Sequence, residues 1–216
     1  MAGWDECAPS IISWTSAGRT VPDHGDLWDT VFEISGSAVI GHGGGYTFQR
    51  SISEVAGGLG LGYRAEATSE ELPFLWAAHP QFVAPRGTRV VLPEQVTRVV
   101  DVMADPIVPM PWAVELSTID TVPLGAGRKV YVDPDSDITA ATLLRPEGAR
   151  LELTWSSECQ YLGLWFDNSQ YSREPVIALE PATGYFDSVE RAADAGRVSI
   201  LEPGRPLEWW IEVRCS

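Results

Sequence analysis

The chain has 216 residues, with 30 Asp or Glu against 15 Lys or Arg and a formal net charge of -15. That balance repels nucleic acid and anionic membrane surfaces, which excludes both as partners and leaves a neutral or locally bound ligand. The length suits one hydrophobic core, so a single domain over residues 1–216 is expected.

No apolar run reaches the ~18 residues of a membrane span. Met1 to Asp5 has neither the basic start nor the apolar stretch of a secretory leader, so a cytoplasmic location is expected. Cys7, Cys159 and Cys215 are odd in number and widely spaced, with no C-x-x-C pair. They read as reduced thiols rather than a disulfide framework or a zinc site, and no metal or cofactor is expected.

In chain order, Gly3-Trp4-Asp5-Glu6-Cys7-Ala8-Pro9 through Pro22-Asp23-His24-Gly25-Asp26-Leu27-Trp28 is polar and turn-rich and reads as loop. Alternation then takes over at Tyr46, Phe48 and Ile52, and at Leu59, Leu61, Tyr63 and Ala65. It continues through Val90 to Leu92, Val130 to Val132, Leu151 to Trp155 and Leu162 to Phe166, and these segments read as strands. The last of them, Leu207 to Arg214, places Leu207, Trp209, Ile211 and Val213 on one face. Gly and Pro clusters separate the strands at sandwich-like intervals. One helix is expected near 187–195, where Asp187-Ser188-Val189-Glu190 has capping-box spacing with Asp187 as the cap, and Gly196 supplies the stop.

The chemistry centres on Pro175 to Asp187. Glu180 precedes Pro181, which forces an extended conformation, so it ends a short buried strand and shares a face with Val176 and Ala178. Small apolar neighbours would raise its pKa, as suits a general base. The competing reading is a strand-end glutamate in solvent or paired with an arginine. His79 has the same design, closing the apolar run Leu72 to His79 before Pro80, and is either a proton donor or a hydrogen-bonded core histidine. His24 lies in a turn where Asp23 or Asp26 could orient its ring. His42, in Gly41-His42-Gly43-Gly44-Gly45, resembles an esterase oxyanion loop, but the chain has no G-x-S-x-G nucleophile, so this segment reads as a flexible turn. Asp133-Pro134-Asp135-Ser136-Asp137 opens like a calcium loop but lacks its glycine and its final glutamate. Gly57 to Gly62 alternates like a strand and carries no lysine, so it is not a phosphate loop.

The segments Gly3 to Pro9, Pro22 to Trp28, Leu75-Trp76-Ala77-Ala78-His79-Pro80 and Ala178-Leu179-Glu180-Pro181 together resemble the galactose mutarotase (aldose 1-epimerase) superfamily, especially its divergent aldose-epimerase-like branch. The resemblance implies a large all-β, two-sheet sandwich with a sugar cleft on its concave face. It implies Glu180 as general base, His79 as general acid, and His24 and Glu6 as sugar-binding groups. Trp28, Trp76 and Trp165 are candidates for stacking on the sugar's apolar face, against the competing reading of each as core or cleft wall. The family's further binding aspartate has two candidate positions, Asp167 and Asp120. For a phosphorylated sugar, Arg64, Arg86 and Arg173 could form a basic pocket.

The implied reaction interconverts the α and β anomers of an aldose. A proton leaves the C1 hydroxyl while another reaches the ring oxygen, and the opened ring rotates about C1–C2 before closing. Positioned carboxyl and imidazole groups contribute roughly 10²- to 10⁴-fold to such proton transfers. Family members carry strands ahead of the Gly-Trp-Asp-Glu segment, so either the start lies downstream of the true one or the sandwich is N-terminally shortened, with an exposed sheet edge that a second copy of the chain could cover. The alternative from another class is a carbohydrate-binding domain without turnover.

Overall fold

The structure, a computed structural model, describes residues 3–16, 19–104 and 106–216; Met1 and Ala2, at the start read above for a leader, lie outside them. Two antiparallel sheets account for most of it. The first has seven strands in the order Trp4–Cys7, Ala77–Val83, Val176–Ala182, Tyr161–Asn168, Ala126–Val132, Arg98–Asp101 and Val108–Pro111. The second has eight, in the order Arg89–Val91, Ala140–Leu144, Arg150–Trp155, Leu207–Cys215, Gly58–Ala67, Tyr46–Val55, Ala38–Gly43 and Glu33–Ser35. Trp14–Ser16 pairs with Arg19–Val21, and Leu72–Phe74 with Ser199–Leu201, in two small ribbons.

Alternation decides which side chains enter the space between the sheets. Leu162, Leu164 and Phe166 on one strand and Ile177 and Leu179 on its neighbour point inward from the first sheet. Phe48, Leu61, Tyr63, Trp209 and Ile211 meet them from the second. Trp209 is the hub of an aromatic cluster, with ring centres 5.4 Å from Tyr63, 5.0 Å from Trp76 and 6.1 Å from Phe48. The all-β sandwich is the architecture expected from the sequence.

Three local expectations need correction. Trp4–Cys7 is not loop but the edge strand of the first sheet, registered Trp4 to Pro80 and Cys7 to Ala77. Four residues of mixed polarity show no periodicity; the backbone pairing and the burial of Glu6 and Cys7 hold them. Gly41 to Gly43 also belong to a strand, Ala38–Gly43, and only Gly44 and Gly45 turn. The helix runs Val189–Asp194, within the expected span, but its cap is Ser188, whose hydroxyl accepts from the Arg191 amide at 3.3 Å. Asp187 is thereby released for other partners. Among the described residues no helix is long and apolar enough to cross a membrane.

One irregularity positions the site. Val176–Ala182 is buried along all seven residues, so Glu180 lies inside this strand and does not end it as expected: Pro181 and Ala182 still pair with Leu162 and Tyr161. The register of the strand with Ala77–Val83 runs from Val176 through Ala178, breaks, and resumes with Ala182 opposite Ala77. The break holds Pro80 and Pro181, which have no N–H to contribute to a ladder. His79 and Glu180, the residues before those prolines, sit on either side of it.

Candidate active site

Backbone register gathers one row of side chains on the face of the seven-stranded sheet turned away from its partner sheet. Asp5 pairs with His79, Glu180 with Gly163, and Gly163 with Tyr131. His79 and Glu180 bridge the break in the ladder, with Nδ1 3.0 Å from Oε1. Gln81 Nε2 lies 3.0 Å from His79 Nε2. With Glu180 ionised, the first contact requires a proton on Nδ1, donated to the carboxylate. Gly163 makes room for the row: a Cβ there would stand 3.1 Å from the Tyr131 ring and 3.2 Å from Glu180 Oε2.

The second oxygen of Glu180 is held by the ammonium of Lys129. Lys129 is 6 % exposed, and its Nζ also lies 3.4 Å from Asp187 Oδ1. The Tyr131 hydroxyl donates to that same Asp187 oxygen at 2.6 Å. Burial by itself would raise the Glu180 carboxyl, but the Lys129 ammonium and His79, with their hydrogen bonds, outweigh it and bring the pKa down to about 2. Burial likewise works against the charged form of Lys129, and Asp187 and Glu180 reverse it, so its pKa is raised. The expectation of a Glu180 pushed upward by apolar neighbours is therefore corrected: it is a buried carboxylate held ionised by a buried cation.

His24 reaches the same place from the turn before Asp26–Asp29. Its ring centre is 5.6 Å from that of His79 and 4.5 Å from that of Trp28, which is 48 % exposed. His24 has φ 64, an unfavourable left-handed backbone for a non-glycine residue, and its amide donates to the Ile11 carbonyl at 2.6 Å. Asp23 Oδ2 lies 3.2 Å from His24 Nδ1, while Asp26 is taken by Arg19 at 2.7 Å and by the Gly44 amide at 2.9 Å. Trp165 is on the site face, directly across from Ala178 and Lys129 in the next row, and approaches Tyr171.

Two expected binding residues point the other way. Glu6 alternates with Asp5 and Cys7 and projects between the sheets, where Arg50 Nη1 binds both its oxygens at 2.9 and 2.8 Å and the Tyr63 hydroxyl lies 3.4 Å away. Trp76 is fully buried against Tyr63 and Trp209. Neither reaches the face that carries Glu180. Asp167 is 1 % exposed and spends its carboxylate on the amides of Gln170, Tyr171 and Ser172, while Asp120 accepts from the Gly87 amide. The aspartate that meets Lys129 and Tyr131 at the site is Asp187. Arg64 is engaged by Glu66 and Glu208 on the second sheet and Arg86 faces Asp120, so these two do not assemble at Glu180. Among the described residues no three His, Cys, Asp or Glu side chains converge as a metal centre requires.

Sequence reading missed Lys129, Tyr131, Gln81 and Asp187. The available signal was the alternation in Lys129-Val130-Tyr131-Val132: with both valines turned to the core, the lysine and tyrosine share the opposite face of a strand buried on both sides. A lysine in that position requires a carboxylate partner.

Comparison with known proteins identifies the fold. No family model matches the sequence, and no curated protein matches it significantly. Solved structures do match. The Slr1438 protein of Synechocystis sp. PCC 6803 superposes with TM-score 0.79 at 16% identity, over 99% of this chain and 78% of its own. A candidate aldose 1-epimerase from Escherichia coli K12 gives 0.72 at 15% identity, over 100% and 84% of the two chains. A galactose mutarotase-like protein from Lactobacillus casei ATCC 334 gives 0.72 at 19%, over 99% and 85%. The chain has the galactose mutarotase-like fold.

Proposed function

We propose that the chain is a mutarotase-type isomerase that exchanges the α and β anomers of an aldose on the face carrying His79 and Glu180. The observation that carries this reading is the buried His79–Glu180 contact with His24 beside it, on a sheet of a galactose mutarotase-like fold. Glu180 takes the proton of the C1 hydroxyl, and His79, entering the step as imidazolium, gives its Nδ1 proton to the ring oxygen and is left as neutral imidazole. The ring opens, C1–C2 rotates, and closure reverses the two transfers. In the free protein acid and base are bonded to each other. A sugar seated between them exchanges that bond for bonds to its own two oxygens. His24 and the exposed edge of Trp28 form the wall against which the sugar packs.

One observation favours a second reading, a carbohydrate-binding domain without turnover: a carboxylate held at about 2 is a weak acceptor for a sugar hydroxyl proton. Magnetisation-transfer NMR across a panel of aldoses separates the two, using parent and Glu180→Gln samples that both melt cooperatively. Exchange above buffer in the parent, lost in the variant, is the expected result. Equal exchange in both would overturn Glu180 as the base. Sugar binding with no exchange in the parent would establish the second reading.

A further inference from the structure

If Glu180 is to take a proton, the group beside it presents an electrostatic problem. Lys129 is buried and held by Glu180, and protonating that carboxylate takes away the counter-charge closest to a buried ammonium, which is strongly destabilising unless another group compensates. The other groups facing Lys129 cannot supply the missing charge. Burial pushes the Cys7 thiol and the Tyr131 hydroxyl well above their ordinary values, so both stay neutral. The strand Tyr161–Asn168, which lies between the strands of Lys129 and Glu180, presents Trp165 opposite Lys129 and Gly163 opposite Glu180, and neither carries a charge.

Asp187 is the exception. Its Oδ1 is 3.4 Å from Lys129 Nζ and is fixed by the Tyr131 hydroxyl at 2.6 Å. Its main chain is anchored as well, since its carbonyl accepts from the amides of Ile11 and Ile12 at 3.0 and 2.9 Å. Because Ser188 caps the helix, the Asp187 carboxylate is free for this role.

We propose that Asp187 is a positioning residue that holds the charge of Lys129 while Glu180 carries the proton taken from the sugar. The inference rests on the reading of Glu180 as the base. In the step, the sugar O1–H bond breaks and a Glu180 O–H bond forms. Lys129 remains protonated throughout and passes its hydrogen bond from Glu180 Oε2 to Asp187 Oδ1. Proton return to the sugar restores the resting arrangement. Asp187 touches no reacting atom; it acts through Lys129.

A double-mutant cycle on stability tests the charge relation without using activity. Glu180→Gln imitates the protonated base. The expected result is that Glu180→Gln and Asp187→Asn, each alone, leave a folded protein, whereas together they lower the folding equilibrium constant at least tenfold beyond the product of the single effects. Adding Lys129→Met, which removes the stranded ammonium, restores stability. Additive single effects, or a double variant that Lys129→Met does not rescue, would overturn the proposal. If the double variant does not fold at all, the triple variant decides by the same criterion.

Anomer exchange gives the second readout. Asp187→Asn is expected to lower kcat at least tenfold with KM for the sugar held, and Asp187→Glu to recover part of it. A raised KM at unchanged kcat would overturn the role. Should the parent show no exchange on any sugar, the isomerase reading falls, and the stability cycle still decides whether Asp187 compensates Lys129.

Discussion

A proton on Glu180 has a price that can be read as stability against pH. Its pKa is about 2 in the folded protein against 4.5 for an ordinary glutamate. The shift is downward, so the contribution is present above pH 4.5 and is lost as pH falls from there to about 2. At 1.36 kcal/mol per unit the contribution is about 3 kcal/mol. Denaturant unfolding between pH 5 and pH 2.5 is expected to show this loss, and Glu180→Gln to flatten it; an unchanged slope in the variant would assign the acid sensitivity to other carboxylates. The sequence made the position of Glu180 legible, because a residue before proline in an apolar run has few places to go. It misjudged the sign of the pKa. Proline restricts its neighbour locally, whereas the lysine that sets the charge lies 51 residues away in sequence and arrives only through sheet register.

Single elements explain how a histidine from a loop comes to stand beside the strand pair. The turn at Pro22 to Gly25 is clamped to the chain at Ala8, where Gly25 has φ 82 and a Cβ would lie 2.0 Å from the Ala8 carbonyl oxygen. No side chain fits there, and the obstructing atom is backbone. Gly25→Ala is expected to cost about 1–3 kcal/mol from the strained conformation alone, and to move His24 away from His79. Thermal melting reads the first effect, and loss of sugar affinity at unchanged secondary structure reads the second. The helix shows how far local signals extend. Its span was legible from the cap and stop residues, but its cap fell one residue later than the box implied, because Tyr131 and Lys129 compete for Asp187 and a serine was available next to it. Ser188→Ala is expected to destabilise by about 1 kcal/mol, a smaller change than the glycine substitution by the same melting measurement.

Across the whole molecule, strand alternation was enough to establish an all-β chain, since each strand needs only its own residues to declare an inner face, while the two-sheet arrangement came from the family resemblance. It did not establish which ligand-type side chains share a face, so the resemblance put Glu6 at the site and Trp76 stood open between site and core. Trp76 instead belongs to the aromatic centre of the sandwich with Tyr63 and Trp209. Trp76→Ala is accordingly expected to cost about 3–5 kcal/mol through cavity formation, seen as a lower denaturation midpoint with the same m-value. A folded variant of near-parental stability with weakened sugar binding would return Trp76 to the site. The row from Asp5 through His79 and Glu180 to Tyr131 has a further consequence for how the molecule comes into being. His79 and Glu180 are 101 residues apart in the chain, and the strand bearing His79 has only Trp4–Cys7 beside it in the sheet until Val176–Ala182 has been made. During synthesis, then, the growing chain carries no paired His79 and Glu180 until the strand Val176–Ala182 has been made. Loop-closure entropy makes such distant pairings slow to form, so the proposed anomer exchange is expected to appear in a refolding time course only with completion of the sheet, not with any earlier collapse.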